Sequence, residues 1–394
     1  MALSSRCALR FKSVCAFGSF WFALIAVPET VQATIFDVGT GQPYPTVGAV
    51  PWETLQAGDR VRIHWRPEPY HEKFVINGIG AAGPSIVVQG ILGPEGQRPV
   101  IDGENATTRP QLNYWNQDRS VIKVGGSSTP NVDIARWILI ENLDIRGARP
   151  SASFTSTAGI VQSYRSNAAA VHVERGEFVA IRNCIIRDSA NGIFVSSSED
   201  YIARDIFIER NYIHSNGLPG NIFVHNTYTA GLRVTYEGNR FGPLAPGAGG
   251  NNLKDRSAGL IVRYNWIEGG NRQLDLVDAE DSGTLQNDPA YRTTHVYGNV
   301  LIEPDDAGNR QIIHYGGDSG NETGYRKGTL HLYFNTIVST RVGRTTFMRL
   351  STDEEHCDAR NNIVFVTDNG NQLSMLDDAG TLSLRNNWLK PGWV

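Results

Sequence analysis

Short runs of alternating apolar and polar residues recur along most of this chain, and each ends on the same phrase. The phrase is an Asn followed by two or more largely apolar residues. It begins at Ile140-Glu141-Asn142-Leu143 and returns at Asn183, Asn211, Asn239, Asn265, Asn299, Asn335, Asn362 and Asn387. From Asn183 onward the gaps run from 25 to 36 residues. Alternation places one set of side chains inside and the other outside a strand. Short strands repeated at this spacing predict a parallel β-helix. Asn tolerates the left-handed backbone of a sharp turn, and its amide can bond the matching Asn one coil on. Nine such residues in register predict a ladder.

A second strand aligns after each Asn turn. Its rows are Ile193-Phe194-Val195-Ser196, Ile222-Phe223-Val224-His225, Leu253-Lys254-Asp255-Arg256 and Leu274-Asp275-Leu276-Val277. Ile312-Ile313-His314-Tyr315, Phe347-Met348-Arg349-Leu350 and Leu373-Ser374-Met375-Leu376 follow, and Val171-His172-Val173-Glu174 fits before them. The first column is apolar, so it points inward. Lys254, Asp275, His225 and Arg256 then point outward. Asp255 points inward, and a buried acid requires a partner.

The rest of the chain fits one solenoid. Arg6, Arg10 and Lys12 precede an apolar run, and Val31-Gln32-Ala33 ends in a small residue, so residues 1–33 read as a signal peptide. The expectation is a secreted or periplasmic protein with one domain over residues 34–394, acting as a monomer. Pro51 to Gln56 reads as a short helix capping the first coil. Ala148 to Ala168 and Phe241 to Asn252 read as loops. No later segment is apolar enough to span a bilayer. A net charge of −4 with no basic tract excludes a nucleic-acid surface. Of four cysteines only Cys184 and Cys357 follow the signal. The frame puts them too many coils apart to bridge, so both are expected to be free thiols.

The pattern breaks at Gly250-Asn251-Asn252-Leu253-Lys254-Asp255-Arg256-Ser257, where a lysine and an arginine replace apolar residues. One coil on, Asp275, Asp278, Glu280 and Asp281 cluster. In this frame Lys254 neighbours Asp275, and His225 neighbours Arg256, on one outward face. His214 lies in a turn nearby. A shallow charged strip of this kind suits a long polymer.

These features resemble the pectate-lyase-like superfamily of right-handed parallel β-helices, over nearly the whole chain after the signal. Leu55-Gln56-Ala57-Gly58-Asp59 and Pro99-Val100-Ile101-Asp102-Gly103 look like the capping region of such lyases. Asn252-Leu253-Lys254-Asp255-Arg256 looks most like the lysine-bearing strand of the family-nine pectate lyases and the alginate lyase/chondroitinase B group. The resemblance implies an all-β fold, a single right-handed parallel β-helix with an N-terminal helical cap. It implies a lyase that cleaves an acidic polysaccharide, with Lys254 as the proton-abstracting base.

The chemistry explains the residue types. β-Elimination removes the proton beside a uronate carboxylate, whose charge must be neutralised by Ca²⁺, Arg or both. Lysine at its ordinary pKa is a poor base at neutral pH. Arg256 lowers that pKa and Asp275 raises it, and a Ca²⁺ on Asp275 would cancel the acid. The expected roles are therefore Lys254 and Arg256 in catalysis and His225, His214 and Asp275 in substrate binding. Asp275, Asp278 and Glu280 are the expected calcium ligands. A hydrolase using Asp275 and Asp278, an epimerase and a non-catalytic glycan-binding solenoid share the same fold.

Overall fold

The computed structural model describes residues 33–368 and 372–393. The expected leader therefore lies outside the described residues, apart from Ala33. From Ala33 onward the chain is a parallel β-helix. Successive coils each add one strand to each of three long sheets, of 12, 10 and 13 strands among the described residues. One coil runs through Arg204–Glu209, Tyr212–His214 and Thr227–Thr229. The next runs through Leu232–Glu237, Arg240–Phe241 and Leu253–Asp255. Each strand pairs in parallel with its counterpart one coil on.

The core is built from stacked inward residues. Ile181, Ile208, Tyr236, Val262, Val296, Leu332 and Ala359 are partners in sequence from coil to coil, and all are buried. Ile186, Ile213, Phe241, Ile267, Leu301, Ile337 and Val364 form a second stack. Burying such rows supplies the main favourable term of the fold. Cys184 and Cys357 are buried free thiols within this core. No helix among the described residues is long and apolar enough to cross a membrane.

Seven of the nine asparagines form the ladder. The Asn211 amide donates to Asn239 Oδ1 at 3.0 Å and to the Ile181 carbonyl at 2.9 Å. The same contacts repeat through Asn265, Asn299, Asn335 and Asn362 to Asn387. The left-handed residue is not the ladder Asn but the one before it, at Arg210, Gly238, Tyr264, Gly298, Phe334, Asn361 and Asn386. Asn142 and Asn183 occupy that left-handed position instead and pair on the surface at 2.6 Å. Leu143 and Cys184 take the ladder place in those coils, and the Cys184 backbone N–H donates to Asn211 Oδ1.

Two segments differ in detail from expectation. The helix expected over residues 51–56 is a single 3-10 turn, Trp52–Thr54, preceded by another at Val47–Ala49. Trp52 is fully buried, stacks on Phe74 at 4.1 Å and donates to the Val47 carbonyl. The loop expected from Ala148 to Ala168 contains an antiparallel hairpin of Ser153–Thr155 with Val161–Ser163, docked on Ala106.

Candidate functional site

The candidate site lies on the 13-stranded sheet, whose outward column is fixed by the observed pairings. In order it reads Lys123, His172, Phe194, Tyr228, Lys254, Asp275, His314, Arg349 and Asp377. Four rows differ from the expected alignment, the last of them carrying Asp377 outward where Ser374 was expected. The strand beside Lys254 is Thr227–Thr229, five residues after the expected Ile222, so Tyr228 is the neighbour of Lys254. Its inward residues are threonines, which hid it from a search for apolar positions. The strand after Asp275 is shifted by one, which turns His314 outward and Ile313 inward. The same shift exchanges Met348 for Arg349. The strip is therefore more polar than the sequence alignment made it.

The strand Leu253–Asp255 is anchored from below. Asp255 is fully buried and accepts from Arg326 Nη2 at 2.7 Å, Thr229 Oγ1 at 2.6 Å and Ser257 Oγ at 2.7 Å. Arg326, also fully buried, donates to the carbonyls of Asp255, Ser257 and Val277. Thr229 faces inward because it serves this pair. The loop before the strand approaches closely, since a Cβ on Gly250 would fall 1.8 Å from the Val224 carbonyl oxygen. Asn226 and Asn252 stack amide to amide at 2.5 Å ahead of the paired strands.

Above this base is a cleft of about 560 Å³, lined in part by Lys254, Arg256, Tyr228, His225, Asp275 and Asp318. Lys254 Nζ donates to Asp275 Oδ2 at 2.8 Å and to Asp318 Oδ2 at 2.5 Å. Arg256 donates from Nε to Tyr228 Oη at 2.7 Å and from Nη2 to Asp318 Oδ1 at 2.8 Å. Its Nη2 also pairs with Glu280 at 2.9 Å, and its Nη1 donates to the Asp278 carbonyl. The single carboxylate of Asp318 thus spans Lys254 and Arg256. Asp278 Oδ1 accepts the Asp318 backbone N–H at 2.8 Å and so shapes the loop that presents it.

Burial acts to lower the Lys254 pKa, but Asp275 and Asp318 outweigh it and hold the ammonium above its ordinary value. The expected lowering by Arg256 is present and smaller. Burial acts to raise the Asp318 pKa, and Lys254 and Arg256 together hold it below the usual carboxylate range. Glu280 is pushed up, first by burial, despite Arg256. Burial, then Lys254, pushes His225 down to about 3. His225 Nδ1 accepts the Asn251 backbone N–H at 2.9 Å, so the neutral ring carries its proton on Nε2.

Of the expected site residues, the structure gathers Lys254, Arg256, His225, Asp275, Asp278 and Glu280. His214 lies elsewhere, in Tyr212–His214 of the 10-stranded sheet, where it stacks on Tyr212 and bonds Ser215. Asp275 does not face substrate freely: it is buried and receives Lys254, Asn251 Nδ2 at 2.7 Å and His314 Nδ1 at 2.8 Å. The calcium set does not assemble. Asp275 is committed to Lys254, Asp278 to the Asp318 loop and Arg256, and Glu280 to Arg256. Among the described residues no three acidic, His or Cys side chains are placed to hold a metal. These carboxylates therefore do not fit Ca²⁺.

Sequence reasoning missed Tyr228, Asp318, Arg272 and His314. For Tyr228 a signal existed. His225-Asn226-Thr227-Tyr228 parallels Asn251-Asn252-Leu253-Lys254, with the stacked Asn in the same place. Asp318 comes from a turn with no repeat signature, and only the folded loop brings it over Lys254.

No protein-family model matches the chain, and no curated protein sequence matches it. Among solved structures it is similar to an alginate lyase from Paenibacillus sp. str. FPU-7. The TM-score is 0.55 at 12% identity, covering 91% of this chain and 99% of that one. The likeness is one of fold. It is also similar to GH136 lacto-N-biosidase from Eubacterium ramulus, with TM-score 0.49, 13% identity and coverage of 90% and 67%. A mannuronic acid specific polysaccharide family 6 lyase from human gut microbiota matches with TM-score 0.45, 12% identity and coverage of 86% and 80%.

Proposed function

We propose that this protein is an exported polysaccharide lyase that cleaves an acidic polysaccharide by β-elimination. The observation that carries this reading is the Asp318 carboxylate bridging Lys254 Nζ and Arg256 Nη2. A base and a carboxylate neutraliser for β-elimination must stand one carboxyl group apart, because the proton leaves the carbon that bears the carboxylate. Lys254 and Arg256 stand at that spacing, Lys254 in the strand Leu253–Asp255 and Arg256 just past its end, both lining the cleft.

In the proposed reaction a uronate carboxylate takes the place of Asp318 on Arg256. Lys254, once deprotonated, removes the proton from the adjacent ring carbon. The electron pair forms the new carbon–carbon double bond, and the glycosidic carbon–oxygen bond breaks. Tyr228 gives its phenolic proton to the departing oxygen. Its Oη accepts Arg256 Nε–H, which stabilises the phenolate left behind. His225 offers a neutral Nε2–H to the sugar. Phe223, 78% exposed on the lip of the cleft, offers a ring face to a pyranose. Arg256 supplies the charge neutralisation that calcium was expected to share.

One observation favours a second reading. Glu280 and Asp318 both contact Arg256 Nη2, and their environments push their pKa values apart, Glu280 up and Asp318 down. A glycoside hydrolase uses two carboxyl groups whose pKa values are set apart in this way, one as acid and one as base. Product chemistry separates the two. Elimination creates an unsaturated sugar end that absorbs in the ultraviolet, whereas hydrolysis releases reducing ends without it.

A further inference from the structure

From the Lys254 centre the cleft runs back toward the N-terminal coils, where Arg119, Asn191 and Phe194 line it. Phe194, Tyr228 and Lys254 are successive residues of the outward column. Two strand spacings, roughly 10 Å, therefore separate Phe194 from Lys254. Phe194 and Tyr228 stack at 5.1 Å along this stretch. The stretch is too long for one sugar ring and suits a second unit of a bound chain.

Arg119 is held by the turn that carries it. Gln117–Arg119 is a 3-10 turn that feeds directly into the strand Ser120–Val124. The Gln117 amide bonds Thr157 through both its oxygen and its nitrogen, and the buried Lys73 donates to the Gln117 carbonyl. The guanidinium itself is uncompensated. Its carbon lies 4.9 Å from the centre of the Phe194 ring, and among the described residues it makes no ion pair and no hydrogen bond. Its Nε is buried without a partner. The two acids that act on it are taken by other cations, Asp118 by Arg165 at 2.6 Å and Glu174 by Lys123 at 2.5 Å. Burial, then Arg165, holds the Arg119 pKa below its ordinary value despite Glu174 and Asp118. A half-buried guanidinium that lines a cleft and lacks an anion is placed to receive one.

We propose that Arg119 is the N-terminal end of the substrate site and binds the carboxylate of a sugar unit beyond the one that meets Lys254. The Phe194 ring supports the guanidinium from below and fixes the place of that carboxylate. The inference rests on the proposed acidic-polysaccharide substrate and adds a direction: the polymer lies along the solenoid axis, across successive coils. It also makes long chains better ligands than disaccharides, which cannot reach from Lys254 to Arg119.

The test is calorimetric binding of polygalacturonate, alginate and hyaluronan, and of disaccharides from each, to the full-length Lys254→Ala protein. Arg119→Gln and Arg119→Lys are then added to that background. Glutamine keeps a planar polar group over Phe194 and removes the charge, whereas lysine keeps the charge and removes the planar fork. The expected result is roughly tenfold weaker binding of the preferred polymer with Arg119→Gln. A smaller loss is expected with Arg119→Lys, and unchanged disaccharide binding with both. In the enzyme that retains Lys254, Arg119→Gln raises KM for polymer more than it lowers kcat. Equal polymer affinity across the Arg119 series overturns the subsite even if unsaturated ends form. Equal loss of polymer and disaccharide binding also overturns it, because the change then acts on the Lys254 centre. Arg119-dependent polymer binding with no unsaturated product upholds the subsite and removes the lyase reading. Failure of every polymer to bind overturns both.

Discussion

Asp318 holds Lys254: its Oδ2 lies 2.5 Å from Nζ, while its Oδ1 lies 2.8 Å from Arg256 Nη2. With Asp275 on the other side, the lysine is an ammonium in the resting protein. A base must lose that proton before it acts. The acid limb of the pH–rate profile is therefore expected on the alkaline side of neutrality. Asp318→Asn removes one of the two carboxylates that raise the Lys254 pKa, so the limb moves to lower pH. The profile of kcat/KM against pH, measured on both proteins, checks this; an unmoved limb rejects the assignment of Lys254 as base.

Tyr228 stands beside Lys254 on the neighbouring strand with Arg256 on its oxygen. Tyr228→Phe keeps the ring stacked on Phe194 and removes only the proton donor. The expected loss in kcat is roughly 100-fold or more, the usual scale of general acid catalysis. Circular dichroism and thermal unfolding should match the parent protein. A variant with full turnover would show that the leaving oxygen takes its proton elsewhere.

The fold was readable because its signals repeat. Asn239 and Asn265 announce their coils with the same phrase, and every coil carries the same apolar stack. Lys254, Arg256 and Asp275 were readable because they break that pattern. The failures share a cause. Thr227–Thr229 turns polar residues inward to reach Asp255, so a rule that inward means apolar selected Ile222–His225 instead. A one-residue slip at Ile313 hid His314, since adjacent strand residues point to opposite faces. Asp318 and Arg326 act through turns and loops that no repeat describes. Asp275, Asp278 and Glu280, expected together as calcium ligands, do not converge because each meets a cation of the protein itself.

The Asp255–Arg326 pair fixes the strand that carries Lys254 from the inside. Both groups are fully buried, and removing one leaves an unpaired charge in the core. Arg326→Met should destabilise the protein by about 3–5 kcal/mol, read from denaturant midpoints. A shift of a few tenths of that size would mean that the surrounding hydroxyls alone satisfy Asp255.

His225 is buried with its Nδ1 already accepting a backbone proton. Its folded pKa, about 3, lies below the ordinary value, so the unfolded chain binds the proton more readily. Its contribution to stability is present above the ordinary histidine pKa and is lost as pH falls below it. An NMR titration should show the His225 ring neutral, with its proton on Nε2, throughout the range where exposed histidines titrate. A midpoint near the ordinary value would contradict the buried geometry.

The most direct test of the account is the ultraviolet absorbance of products from a panel of acidic polysaccharides, with and without chelator. The prediction is unsaturated ends from at least one uronate polymer, undiminished by chelator and abolished in a folded Lys254→Ala protein. Reducing ends without unsaturation, or unsaturated ends still formed by Lys254→Ala, would contradict it.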